Sequence, residues 1–137
     1  MRIRIATLCA FIASTTLAGC AGGGRNGINI EKIDSAAALK ARLDAGTITA
    51  IDTLDDAHFN DGHIPGAHHC DYEKMSPDCL PADKATPLVF YCAGGLCPVS
   101  RMAADKAVEY GYTKVAIYGG GIRGWKDAGL PVEKGGK

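Results

Sequence analysis

No stretch of this 137-residue chain reaches the roughly eighteen consecutive apolar residues that a spanning helix needs, so a multi-pass helical membrane protein is excluded. An excess of charge is missing too. Lys plus Arg is 15 and Asp plus Glu is 15, which argues against nucleic-acid binding through a broad basic face. There is no internal repeat, and the 18 glycines fall in short clusters without a collagen period. The length leaves no room for two full domains. What remains is 47% apolar and 22% charged residues, the balance of one ordinary globule.

The first residues read as an address. Arg2 and Arg4 give a positive start, Ile5 to Leu17 is mostly apolar, and small residues follow, the pattern of a secretory signal. The ending Leu17-Ala18-Gly19-Cys20 resembles the lipobox of bacterial lipoproteins, in which the Cys becomes the lipidated first residue of the mature chain. The other readings are a plain signal peptide cut elsewhere, or a membrane anchor, for which the stretch is short. This reading makes residues 1–19 a signal peptide, 20–27 a Gly-rich tether and 28–137 a single domain. Removing Arg2 and Arg4 leaves 13 basic residues against 15 acidic, a net charge of −2. Acyl chains on Cys20 would hold the exported protein at a membrane on the periplasmic side. Ala21 in place of Asp after the Cys leans toward the outer membrane if the source is Gram-negative.

Within the domain, Asp34 or Ser35 is placed to cap a helix over Ala36 to Ala45, with Leu39 and Leu43 on one face and Gly46 as its stop. Thr47 to Asp52 reads as a buried strand, and Leu88 to Tyr91 as the clearest central one. Asp55 to Asp71, with its Gly, Pro and four His, reads mainly as loop with a helical turn near Ala57. Ser100 to Tyr110 has a helical stripe of Ala103, Ala104, Ala107 and Val108, and Gly111 ends it. Val115 to Tyr118 is the next strand. Gly119-Gly120-Gly121 forms a turn, and a short helix carries Trp125 as a core anchor. Strands alternating with helices predict an α/β domain with a mostly parallel central sheet flanked by helices.

In such sheets ligands gather at the carboxyl ends of the strands, and Cys92 stands there, between a strand and a helix start. The loop Ala93, Gly94, Gly95, Leu96 and Cys97 is suited to an anion cradle, because its N–H groups and the helix dipole supply positive potential. A Cys at its base is expected to have a depressed pKa, and its thiolate would attack an electrophilic sulfur. Read from these residues alone, a buried structural Cys at a strand end is an equal alternative. Arg101 is a candidate for drawing an anionic substrate, with a solvated helix residue as the other reading.

Several separated pieces then agree. Ala50-Ile51-Asp52, Gly62-His63-Ile64-Pro65-Gly66-Ala67, Leu88-Val89-Phe90-Tyr91-Cys92, Gly111-Tyr112, Gly120-Gly121 with Trp125, and Gly129-Leu130-Pro131-Val132 stand in the order of the rhodanese-like family, which the chain resembles from about Ile30 to Pro131. The resemblance implies the three-layer rhodanese fold and a persulfide-forming sulfurtransferase with Cys92 as nucleophile. It implies a sulfur-containing anion or persulfide as donor, a thiol as acceptor and no cofactor. There are departures. Thr53 stands where Arg is common, His58 where an acidic residue is common, and the loop is longer and holds Cys97 and Pro98. Phosphatase relatives need Cys-x5-Arg, but the sixth residue after Cys92 is Pro98, which disfavours phosphate-ester hydrolysis.

Cys70, Cys79, Cys92 and Cys97 are an even set in an exported domain and allow three connectivities. Pairing of neighbours would join Cys70 to Cys79 as a staple and Cys92 to Cys97. The second pair leaves open a persulfide carrier resolved by Cys97, a dithiol redox protein, or a non-catalytic binding module. His63, His68, His69 and Cys70 carry metal donors, but His63 belongs to the family signature and adjacent His68 and His69 do not readily share an ion, so no metal is expected. Asp52 has two readings, orienting a loop donor or the His63 ring, or accepting backbone N–H bonds at a strand end.

Overall fold

The computed structural model describes residues 27–136. The expected lipidation at Cys20 and the signal segment lie outside those residues.

Five parallel strands form one sheet: β1 (Glu31–Ile33), β2 (Thr49–Asp52), β3 (His68–His69), β4 (Leu88–Tyr91) and β5 (Val115–Tyr118). Their order is β1-β5-β4-β2-β3, so the most apolar strand, β4, is central. Every residue of β4 is buried, as expected of a strand covered on both faces. Period-two alternation splits it. Val89 and Tyr91 pack with Leu39 of helix α1 (Ala36–Asp44), Ile64, Tyr118 and Trp125. Leu88 and Phe90 pack on the other face with Ala103, Ala104 and Ala107 of helix α3 (Val99–Glu109). The result is three layers.

Ser35 is the cap of α1; its side chain accepts the Ala38 N–H at 3.1 Å. Gly46 follows at φ +65, a conformation open to glycine. The segment read mainly as loop is more ordered than expected. Asp55 caps helix α2 (Asp56–Asp61) by accepting the His58 N–H at 2.9 Å. His68 and His69 then form β3 by pairing with Ile51 and Asp52. Cys70 and Cys79 are joined in a disulfide across two short 3-10 turns, with Cα atoms 5.4 Å apart. Helix α4 (Gly121–Asp127) follows β5 directly and buries Trp125, whose indole N–H donates to the Pro131 carbonyl at 2.7 Å.

Candidate active site

Cys92 leaves the carboxyl end of β4 and is 2% exposed. Two neighbouring elements clamp the backbone around it. Thr53, just past β2, donates both its N–H (3.1 Å) and its hydroxyl (2.8 Å) to the Tyr91 carbonyl. The start of α4 donates Ile122 N–H to the Cys92 carbonyl (2.9 Å) and Arg123 N–H to the Ala93 carbonyl (3.2 Å). With those carbonyls held from outside, the loop turns its N–H groups toward sulfur.

The turn depends on glycine. Gly94 and Gly95 have φ of +104 and +66, and the Cys97 N–H returns to the Gly94 carbonyl at 3.4 Å. The loop also packs backbone to backbone on the start of α4: a Cβ on Gly94 would collide with the Gly120 carbonyl, and one on Gly121 with the backbone of Gly94 and Cys92. The folded-back loop brings Cys97 beside Cys92. The Cys92 thiol donates to the Cys97 carbonyl at 3.5 Å, which places the two cysteine side chains as neighbours. The neighbour pairing that joins Cys92 to Cys97 is not formed; both are free thiols, Cys92 buried and Cys97 half-buried. Leu96 contributes only its backbone, since its side chain is fully exposed.

The electrostatics reverse one expectation. Burial pushes the Cys92 thiol above its ordinary 9.0, and the bond to Cys97 pushes it further; the N–H groups of Gly94 and Ser100 and the Ser100 hydroxyl pull against this without overcoming it. Cys97 is also raised by burial. For it, the Cys92 S–H and the N–H groups of Val99, Ala93 and Gly94 prevail and bring the thiol below the ordinary value. The depressed pKa expected of Cys92 thus belongs to Cys97, because Cys92 lies too deep and Cys97 collects donors nearer solvent.

Arg101 needs correction as a substrate ligand. Its Nε pairs with the Asp105 carboxylate, 3.1 and 3.2 Å, one turn further along α3 and away from the loop. Arg123 stands nearer: a side chain at Gly95 would come within 4.0 Å of its Nη1. The sequence reading missed Arg123 and missed Ser100, a buried hydroxyl at the start of α3. A cleft of about 210 Å³ lies between the segment after β2 and the start of α3, lined by Thr53, Leu54, Asp55, Asp71, Tyr72, Glu73 and Val99.

Asp52 is fully buried. Its Oδ1 accepts the Leu54 N–H at 2.9 Å, and Oδ2 has no hydrogen-bond partner among the described residues. This is the strand-end arrangement. Burial raises its carboxyl, against the Leu54 N–H, the Tyr91 hydroxyl and the charges of His69 and His63. The Tyr91 hydroxyl accepts the Ile64 N–H at 3.1 Å. The His63 ring is held by the Phe59 carbonyl through Nδ1 at 2.9 Å and stacks on Phe59, which also stacks on His69. No cluster of three or more His, Cys, Asp or Glu suited to a metal occurs among the described residues.

A parallel sheet whose central strand delivers a buried cysteine into an N–H-lined loop at a helix start defines an α/β domain built around one thiol site. The model of the rhodanese-like domain matches residues 35–128. Thiosulfate sulfurtransferase GlpE of Shewanella oneidensis is 33% identical over 90 residues, covering 66% of this chain and 87% of that protein. HTH-type transcriptional regulator Rv0324 of Mycobacterium tuberculosis is 30% identical over 99 residues, 72% of this chain; the chain spans only 43% of that relative's length. The solution structure of the rhodanese-like domain of Alr3790 from Anabaena superposes with a TM-score of 0.66 at 30% identity, covering 75% of this chain and 78% of that one. The chain belongs to the rhodanese-like domain family.

Proposed function

We propose that this protein is a sulfurtransferase that carries sulfane sulfur as a persulfide on Cys92. The observation that carries the reading is the Cys92 loop itself, a nucleophile at a strand end with Gly94 N–H, Ser100 N–H and Ser100 hydroxyl directed at its sulfur. Those donors would stabilise negative charge on an incoming sulfur as well as on the thiolate. With thiosulfate as donor, Cys92 thiolate attacks the outer sulfur, the S–S bond of the donor breaks, and sulfite leaves with the bonding pair. The raised Cys92 pKa means that the attacking thiolate must form during reaction, and the neighbouring Cys97, the more readily ionised of the two thiols, is placed to take its proton when deprotonated. Arg123 supplies the nearby positive charge for an anionic donor. The names of the GlpE relatives point to the same chemistry.

The test is intact mass of the reduced protein before and after thiosulfate, with sulfite measured in parallel. Gain of one sulfur atom, lost in Cys92→Ser, is the expected result; retained turnover in Cys92→Ser ends the proposal. A second reading is favoured by the Cys92–Cys97 contact: a dithiol redox protein. It predicts disulfide exchange with substrate proteins and no sulfur uptake. The proposal includes lipid anchoring in the cell envelope through Cys20, supported by Leu17-Ala18-Gly19-Cys20. Labelled fatty acid should enter the wild-type chain and not Cys20→Ala.

A further inference from the structure

We propose that Cys97 resolves the Cys92 persulfide within the same loop, so that the protein releases sulfide and closes a Cys92–Cys97 disulfide. The inference rests on the persulfide reading above and adds the fate of the sulfur. In the step, Cys97 sulfur attacks Cys92 Sγ. The bond between Cys92 Sγ and the sulfane sulfur breaks, and a Cys92–Cys97 bond forms. The sulfane sulfur gains two electrons, the two cysteine sulfurs together give up two, and the protons of Cys97 and of the persulfide leave as hydrogen sulfide. A dithiol reductant reopens the disulfide for the next cycle.

Four observations carry this. Left-handed turns at Gly94 and Gly95 fold the loop so that the Cys97 carbonyl lies 3.5 Å from Cys92 Sγ, and the Cys97 thiol is its neighbour. The residue whose carbonyl touches Cys92 Sγ is Cys97, so the attacking thiol starts beside the atom that becomes the inner sulfur. Three backbone N–H groups, from Ala93, Gly94 and Val99, gather on Cys97 and favour its thiolate. Both thiols are free, although the other two described cysteines are joined to each other, so the pair is available for a redox step. Burial adds direction: Cys92 is closed off from large thiol acceptors, whereas half-buried Cys97 is reachable by the reductant.

The experiment loads the reduced full chain, freed of added reductant, with thiosulfate under anaerobic single-turnover conditions. Sulfite and sulfide are measured together, and thiols are mapped by differential alkylation. Wild type is expected to release sulfide in proportion to sulfite and to end with a Cys92–Cys97 crosslinked peptide. In Cys97→Ser and Cys97→Ala the ratio of sulfide to sulfite should fall by about tenfold or more, with the sulfur retained on Cys92. The ratio is independent of how fast either variant loads. An unchanged ratio in both variants, or a wild-type persulfide that persists without the crosslink, overturns the inference and leaves the carrier reading intact. Absence of both sulfite and sulfur gain in wild type overturns both.

Discussion

Replacing Gly121 with Ala tests how the site is held. Gly121 has φ +59 and lies where β5 turns into α4. A Cβ there would collide with the backbone N and Cα of Gly94 and the carbonyl of Cys92, none of which is a flexible side-chain end. The left-handed conformation alone costs about 1 kcal/mol for a residue with a Cβ. Relieving the collision requires α4 and the cysteine loop to separate, which lengthens the Ile122-to-Cys92 and Arg123-to-Ala93 hydrogen bonds, now 2.9 and 3.2 Å. Each contributes about 1 kcal/mol. The expected loss is about 3 kcal/mol, within the 5–15 kcal/mol that such domains possess, so the variant should fold. Displacing Cys92 by about an ångström should slow sulfur loading by roughly 10²-fold. Gly46→Ala is the control: its φ is +65, but its Cβ would meet open space, so it should lose only about 1 kcal/mol and load sulfur normally. Urea titration reads stability, and sulfite release reads loading. If Gly121→Ala matches Gly46→Ala in both, the backbone clamp is not what positions Cys92.

Asp52→Asn should stabilise the fold at neutral pH. Burial raises the Asp52 carboxyl above 3.8, so the charged form penalises the folded state; the penalty is absent below that value and sets in as pH rises through the folded-state pKa. With Oδ2 unpaired, the gain should be about 1–3 kcal/mol at high pH and vanish in acid, and urea titrations across pH would refute this by showing a constant difference. Arg123→Ala should raise the thiosulfate concentration needed for half-maximal loading about two- to fivefold, as befits an exposed charge, whereas Arg101→Ala, already paired with Asp105, should leave it unchanged. Equal effects of the two variants would remove Arg123 from the donor site. Cys79→Ser should lower stability by about 2–3 kcal/mol by freeing the short Cys70–Cys79 loop in the unfolded chain, read as a shift in urea midpoint.

The elements legible in the sequence were those with a complete local pattern. Thr49 to Asp52, Leu88 to Tyr91 and Val115 to Tyr118 are apolar enough to be buried on both faces, and the alanine stripe of α3 has one period. Strand β1 went unseen because Glu31-Lys32-Ile33 buries only its last residue, and β3 because two histidines hold no pattern. Helix α2 is six residues and rests on the Asp55 cap more than on an apolar face. At the site, Cys92 and its glycines were legible because strand, loop and helix are contiguous. Thr53 and Arg123 reach the thiol loop through folding, and no local spacing announces them. The direction of the Cys92 pKa failed for a related reason. A loop's donors are visible in its residues, but the depth that outweighs them is set by the layers on either side.

The clamps on the loop are uneven, and the unevenness bears on the two thiols. Thr53 holds the carbonyl before Cys92, and α4 holds those of Cys92 and Ala93. Beyond Gly94 the chain is exposed at Gly95, Leu96 and Pro98, and Cys97 is returned by one long bond to the Gly94 carbonyl. Pro98 offers no N–H to tie that arm down, while its carbonyl accepts the Arg101 and Met102 N–H groups that open α3. Cys92 is therefore fixed from two sides at the base of the cradle, and Cys97 rides on the segment with the fewest backbone ties. A fixed acceptor of sulfur beside a less buried, more readily ionised thiol is the arrangement that a transfer step followed by closure requires, because only one of the two sulfurs must move.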